Sequence, residues 1–267
     1  MNIAQAIDFI QTRGDWVLQA RLAAITSAAP ASDLVLNALA AGQNPDGGWP
    51  LNGSAGKPTS LYDTCRFLGW LNELDEGGSE MAERARALLA ARQAPRGWWR
   101  ESQDLLPFNP PLWLDAESDE AMVYTTALCA ATLAAYDENP LEVDQAVNWL
   151  QGQIAPTGLL PGFRIEATAW AIPAFVANGH RETRSVKRML MGLGKLLSPE
   201  WDAPTLAVML TGLSQAGFPR ATREVERGLA LLGDLQRPDG GWNDGDGKPD
   251  AQLTLQIVRA ARRFGLR

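Results

Sequence analysis

Four carboxyl groups stand within six residues of one another: Asp115, Glu117, Asp119 and Glu120. They lie where an apolar helix is about to begin. Crowded carboxyls compete for protons and push their pKa values apart, so that one can stay protonated and act as an acid. Burial in an apolar pocket adds to this by disfavouring the charged form. The plainer alternative is an acidic first turn that answers the positive end of a helix dipole. Two further carboxyls, Asp63 and Glu166, also stand near the starts of apolar helices and offer alternative acids. Asp63 has Cys65 two positions on, and the only histidine in the chain is His180.

Placing such groups is the task of the helices, and the tryptophans show how these are arranged. Ten occur, three of them closing copies of one recurring phrase. Gln43-Asn44-Pro45-Asp46-Gly47-Gly48-Trp49 returns as Gln93-Ala94-Pro95-Arg96-Gly97-Trp98-Trp99 and as Gln236-Arg237-Pro238-Asp239-Gly240-Gly241-Trp242, all reading Q-x3-G-x-W. A weaker copy runs from Gln153 to Leu160, with Leu where Trp should be. The glutamines are spaced 50, 60 and 83 residues apart. The last gap spans nearly two periods, so a degraded copy is expected near Leu196–Trp201. Repeats of this length hold one helix pair each. In each copy Pro and Gly break a helix, and the indole folds back to cover exposed backbone groups.

The helices before the turns carry charges such as Glu83, Arg84, Glu142, Arg223 and Glu226 and should form a solvent-facing ring. Those after the turns begin with related phrases, Ser60-Leu61-Tyr62-Asp63-Thr64-Cys65 and Met122-Val123-Tyr124-Thr125-Thr126-Ala127 among them, and have few charges beyond the first turn. They should form a buried inner ring, running from Trp16–Ile25 to Leu253–Phe264. The last inner helix lacks an outer partner, which the N-terminal helix Ile3–Gln11 could supply, closing the ring.

The Q-x3-G-x-W turns resemble those of squalene cyclases, class II diterpene cyclases and protein prenyltransferase β subunits, over nearly the whole chain. The resemblance implies an all-α fold, an (α/α)6 toroid, spanning residues 1–267 as a single domain with a central cavity. It also implies a class II-type activity, the proton-initiated cyclisation or isomerisation of an isoprenoid or similar polyene. The class II phrase D-x-D-D-T-A is matched by Glu117-Ser118-Asp119-Glu120-Ala121. Asp119 takes the place of the proton donor, with Glu117 and Glu120 as its tuners and Ala121 where the family has Thr. The expected cavity wall comprises Trp16, Tyr62, Asp63, Phe67, Trp70, Tyr124, Glu166, Trp170 and Phe175. Aromatic faces there would stabilise a carbocation by about 0.5–2 kcal/mol per contact. The Pro-rich Phe108–Trp113 stretch is expected to form a lid that keeps water from Asp119.

Prenyltransferase β subunits resemble Asp63-Thr64-Cys65 in a D-x-C pair that binds zinc with a later His. His180 lies outside the phrase where that ligand belongs, so neither metal nor other cofactor is expected. There is no D-D-x-x-D phrase for magnesium diphosphate, which argues against ionisation of a prenyl diphosphate. The expected partner is a hydrophobic, isoprenoid-like small molecule. A net charge of −7 without a basic stretch argues against nucleic acid. No apolar run reaches the length of a membrane span, which leaves peripheral membrane contact open, as is the oligomeric state. The absence of an export signal and the two apolar-flanked cysteines, Cys65 and Cys129, point to free thiols in the cytoplasm. The competing reading is a non-catalytic toroid that binds a lipid or peptide, or a subunit that needs a partner.

Overall fold

The computed structural model describes residues 1–136 and 141–266. Among them twelve α-helices alternate between two rings. The inner ring consists of α2 (Trp16–Ser27), α4 (Leu61–Glu73), α6 (Asp119–Ala134), α8 (Arg164–Phe175), α10 (Ala203–Gln215) and α12 (Ala251–Arg263). Each inner helix packs on the next, and α12 packs on α2, so the ring closes. The outer helices are α1 (Ile3–Arg13), α3 (Asp33–Ala41), α5 (Glu80–Arg92), α7 (Leu141–Gln153), α9 (Arg184–Leu196) and α11 (Arg223–Asp234). Helix α1 lies against α12 and α2. It supplies the outer partner that the last inner helix lacked in the sequence.

The two rings differ as their compositions require. Outer helix α11 buries Val225, Gly228, Leu229 and Leu232, a single stripe at helical spacing, and leaves its charges outside. Inner helix α6 buries eleven of its residues, on nearly every side. Close approach between inner helices depends on small residues. A Cβ on Gly212 of α10 would sit 2.2 Å from the Ala169 carbonyl oxygen of α8.

The repeated turns weld one repeat to the next. The side chains of Trp49, Trp99 and Trp242 are fully buried. Their indole N–H groups donate to the carbonyls of Leu39, Leu89 and Leu232, each ten residues earlier in the preceding helix, at 3.2, 2.7 and 2.8 Å. The glutamines bridge forward. Gln43 Nε2 donates to Gly47 O and Met81 O, and Gln93 Nε2 to Gly97 O and Glu142 O, so each spans its own turn and the first turn of the next outer helix. Gln236 does the same across the seam of the ring, donating to Gly240 O and Asn2 O. The turn glycine must be glycine. Gly240 has φ +90°, and a Cβ there would meet the Gln5 carbonyl oxygen at 2.3 Å.

A threonine inside each following inner helix completes the joint. Thr64, Thr126 and Thr254 accept the backbone N–H of Trp49, Trp99 and Trp242. In the weak copy Leu160 takes the place of the Trp, and its N–H reaches Thr168 at 2.9 Å. This common threonine puts the inner helices in register with one another.

Candidate functional site

The register explains why Asp119 is not where the acidic phrase suggested. In α4 and α12 the N-caps, Ser60 and Asp250, stand four residues before the register threonine. In α6 the N-cap Ser118 stands eight residues before it, so α6 begins about one turn early and carries its first residues past the rim. The Asp119 side chain is 86% exposed and pairs with Arg100 Nη2 at 2.5 Å. Glu117 and Glu120 are also exposed. All three lie outside the cavity wall, as the acidic start of a capped helix.

The central cavity has a volume of about 470 Å³. Of the nine residues expected on its wall, Tyr62, Trp70 and Trp170 line it. Trp16 opens α2 and is 46% exposed. Phe67 lies off the cavity row of α4 and stacks on Trp49, rings 5.0 Å apart and 3° from parallel. Phe175 is fully buried at the end of α8, next to His180. Tyr124 is buried edge-on to Phe163 at 5.9 Å. Glu166, half-buried, is likewise absent from the wall.

Asp63 is the carboxyl that the fold encloses. Its side chain is 1% exposed. In register it matches Leu253 of α12, which lines the cavity, and its own neighbours Tyr62 and Arg66 line it too. The carboxyl itself is set one step back from the wall. As the third residue of α4 it could have bonded its own helix end, but Oδ2 instead accepts the backbone N–H of Asn52 at 2.8 Å. Arg66 Nη2 lies 2.7 Å from Oδ1, yet Oδ1 and Arg66 Nε both make no hydrogen bond. Burial raises the Asp63 pKa, opposed first by Arg66 and then by the Asn52 bond.

Glu101, which the sequence did not single out, sits beside it. Its carboxylate accepts the N–H groups of Leu61 and Tyr62 and the Ser60 hydroxyl, closing the N-terminus of α4. Burial raises its carboxyl to about 7. The loop between α5 and α6 covers this corner, with Leu105 and Leu114 packed on Leu51 and against Tyr62. Phe108 and Trp113 at its crest are exposed. The loop therefore roofs the Asp63 side of α4 and leaves Asp119 open to solvent.

No three His, Cys, Asp or Glu side chains converge as a metal set among the described residues. Cys65 lines the cavity, and its Sγ lies 3.7 Å from that of Cys129 on α6. Both thiols are free and buried. No helix among the described residues is long and apolar enough to cross a membrane.

Comparison with solved structures settles the architecture. The type II terpene cyclase MstE from Scytonema superposes with a TM-score of 0.66, over 97% of this chain and 96% of that one, at 16% identity. The chain has the type II terpene cyclase fold. A substituted MstE holding its substrate, geranylgeranyl dihydroxybenzoate, gives a TM-score of 0.67 at 16% identity, covering 98% of this chain and 96% of that one. A protein from Actinoplanes matches at 0.67 and 18% identity, over 99% of this chain and 98% of that one. In sequence the chain is 27% identical over 235 residues to drimenyl diphosphate synthase of Streptomyces showdoensis. That match covers 86% of this chain and 36% of the synthase, so the chain spans just over a third of that relative's length. No family model matches the chain.

Proposed function

We propose that this chain is a class II-type cyclase that starts the cyclisation or isomerisation of an isoprenoid or similar polyene by protonation, with Asp63 as the acid. The observation that carries the reading is the enclosed Asp63 carboxyl, its pKa raised by burial and its Oδ1 without a hydrogen bond, beside a cavity walled by Tyr62, Trp70 and Trp170. In this reading the proton is delivered from Oδ1, the oxygen that does not accept from Asn52. Transfer of that proton to an alkene carbon leaves a carbocation in the cavity and a carboxylate on Asp63. Arg66 and the Asn52 N–H stabilise the carboxylate, and the aromatic faces stabilise the cation. Loss of a proton from the cyclised cation ends the reaction, and reprotonation of Asp63 restores the acid. The relatives' names support this direction, since MstE is called a terpene cyclase and the Streptomyces protein a synthase of a terpenoid diphosphate.

A second reading, a binding toroid without catalysis, draws on the setting of the Asp63 carboxyl one step behind the wall. The two separate in one experiment. Purified protein is incubated with C15 and C20 polyprenyl compounds and the products are resolved by mass spectrometry. Asp63→Asn should lower turnover by at least about a hundredfold, while Asp119→Asn stays near wild type. Undiminished turnover in Asp63→Asn would overturn the assignment of the acid. Binding without turnover in the wild type would favour the binding toroid.

A further inference from the structure

Beyond Arg66 the cavity changes character. Arg21 of α2 is almost wholly enclosed, its side chain 3% exposed, with Nε 2.6 Å from Glu73 Oε2. Its Nη1 donates to Gln252 Oε1 at 2.7 Å. Arg259 of α12 reaches the other oxygen of the same carboxylate at 2.7 Å. Arg263, one turn further along α12, lines the same space, is exposed to it, and makes no hydrogen bond among the described residues. Two guanidinium groups therefore share one carboxylate, and a third stands on the same wall without a partner among the described residues.

The acids elsewhere on the wall do not restore the balance. Asp250 caps the start of α12, and Asp244 accepts N–H groups of its own loop. Asp63 is engaged with Arg66. An interhelix brace accounts for Arg21 and Glu73, but such a brace needs one cation for one anion. Each additional guanidinium adds desolvation cost without a counter-charge.

We propose that this part of the cavity is a subsite for the anionic head of an apolar ligand, a diphosphate or a carboxylate, gripped by Arg259 and Arg263 with Arg21 behind them. The guanidinium fork matches both oxyanions in a two-bond geometry. The subsite rests on the cavity being the ligand site of the proposed function, but not on Asp63 being the acid. It also gives the ligand a direction. Glu73 lies ten residues beyond Asp63 on α4, about 15 Å along the helix. A head held by the arginines puts the far end of the chain next to Asp63.

The test uses ligands that cannot react, so that binding is read apart from catalysis. Hexahydrofarnesyl diphosphate, hexahydrofarnesoic acid and hexahydrofarnesol share one saturated chain and differ only in the head. Titration calorimetry on the wild type should show at least one anion binding about tenfold or more tightly than the alcohol, as charged hydrogen bonds predict. The tighter of the two anions identifies the head. Arg263→Gln, at an exposed and unbonded side chain that the fold does not need, should remove most of that preference and leave the alcohol within about twofold. Glu73→Gln should increase the preference, because it frees two guanidinium groups; a purely structural brace would make it weaken every ligand. Equal affinity for alcohol and anions, or no binding of either anion, overturns the subsite. So does an Arg263→Gln variant that keeps the full preference. None of these outcomes bears on turnover by Asp63, which the polyprenyl assay reads separately.

Discussion

Tyr62 and Glu101 belong to different repeats, yet the backbone N–H of Tyr62 donates to Glu101 Oε1 at 2.9 Å while the Tyr62 side chain lines the cavity. Two more donors, from Leu61 and Ser60, complete the grip. The α4 helix end that carries Asp63 is thus held by a carboxyl from the loop after α5.

That grip has a pH signature. Burial raises the Glu101 carboxyl to about 7, outweighing three hydrogen bonds that favour the carboxylate. The folded chain then binds this proton more tightly than the unfolded chain. Stability falls as pH rises from the ordinary glutamate range, about 4.3, through 7, and levels off above it. Asp63, also raised by burial, acts in the same direction. The urea midpoint should drop between about pH 5 and about pH 8, and Glu101→Gln should flatten the drop. A midpoint that climbs over that window would mean that the helix end holds the carboxylate after all.

Arg66 opposes the raised pKa of Asp63 more than any other group. Without its charge the carboxyl rises further and becomes a weaker acid. For Arg66→Met we expect slower turnover, with the high-pH limb, where Asp63 loses its proton, moved to higher pH. A slower enzyme with an unmoved limb would assign Arg66 to packing on Trp70 and not to Asp63.

The strong and degraded turns should differ in stability. Trp99 is fully buried, and Trp99→Ala should cost about 3–5 kcal/mol. Trp201, in the degraded copy, is only half-buried, and its removal should cost clearly less. Equal losses by chemical denaturation would show that the degraded turn is as structural as the others.

The glutamines allow a similar comparison. Gln236 makes its bonds across the seam, and Gln236→Ala leaves partners at Gly240 and Asn2 unmet. We expect a loss of about 1–3 kcal/mol. Gln153 makes no such bond among the described residues, and Gln153→Ala should lie near zero. A reversed order would remove the glutamine bridge from the account of how repeats are joined.

The repeats were legible because each turn repeats one physical solution, and the residues that solve it are uncommon enough to count. Trp49, Trp99 and Trp242 gave the turns, and the alternation of charged and apolar helices gave the two rings. The site was harder. Asp119 stands among four crowded acids in a phrase that matches the class II one, but neither charge crowding nor a matching phrase reports where a helix begins relative to its neighbours. The register is set by Thr64, Thr126, Thr168 and Thr254, which look like ordinary helix residues until the N–H groups they accept are seen. Asp63 was readable as an alternative from its place in the repeated phrase. Glu101 was not, because its partners are two backbone N–H groups and a hydroxyl about forty residues away. Arg21, Glu73 and Arg259 carry a sequence signal of their own: charged residues inside otherwise apolar inner helices must face one another or a ligand.

The seam between α12 and α1 also bears on how the chain reaches this structure. Each repeat meets its neighbour within a few dozen residues, so most of the ring can assemble from local encounters, in any order along the chain. The contact between Gln236 and Asn2 spans 234 residues, and its loop must be closed before it returns any energy. Closure is then the slow final event, and destabilising the seam should slow refolding more than an equal loss at Trp99 does. Until it closes, the intermediate is an open crescent, with its inner apolar helices exposed at both ends and free to join another copy.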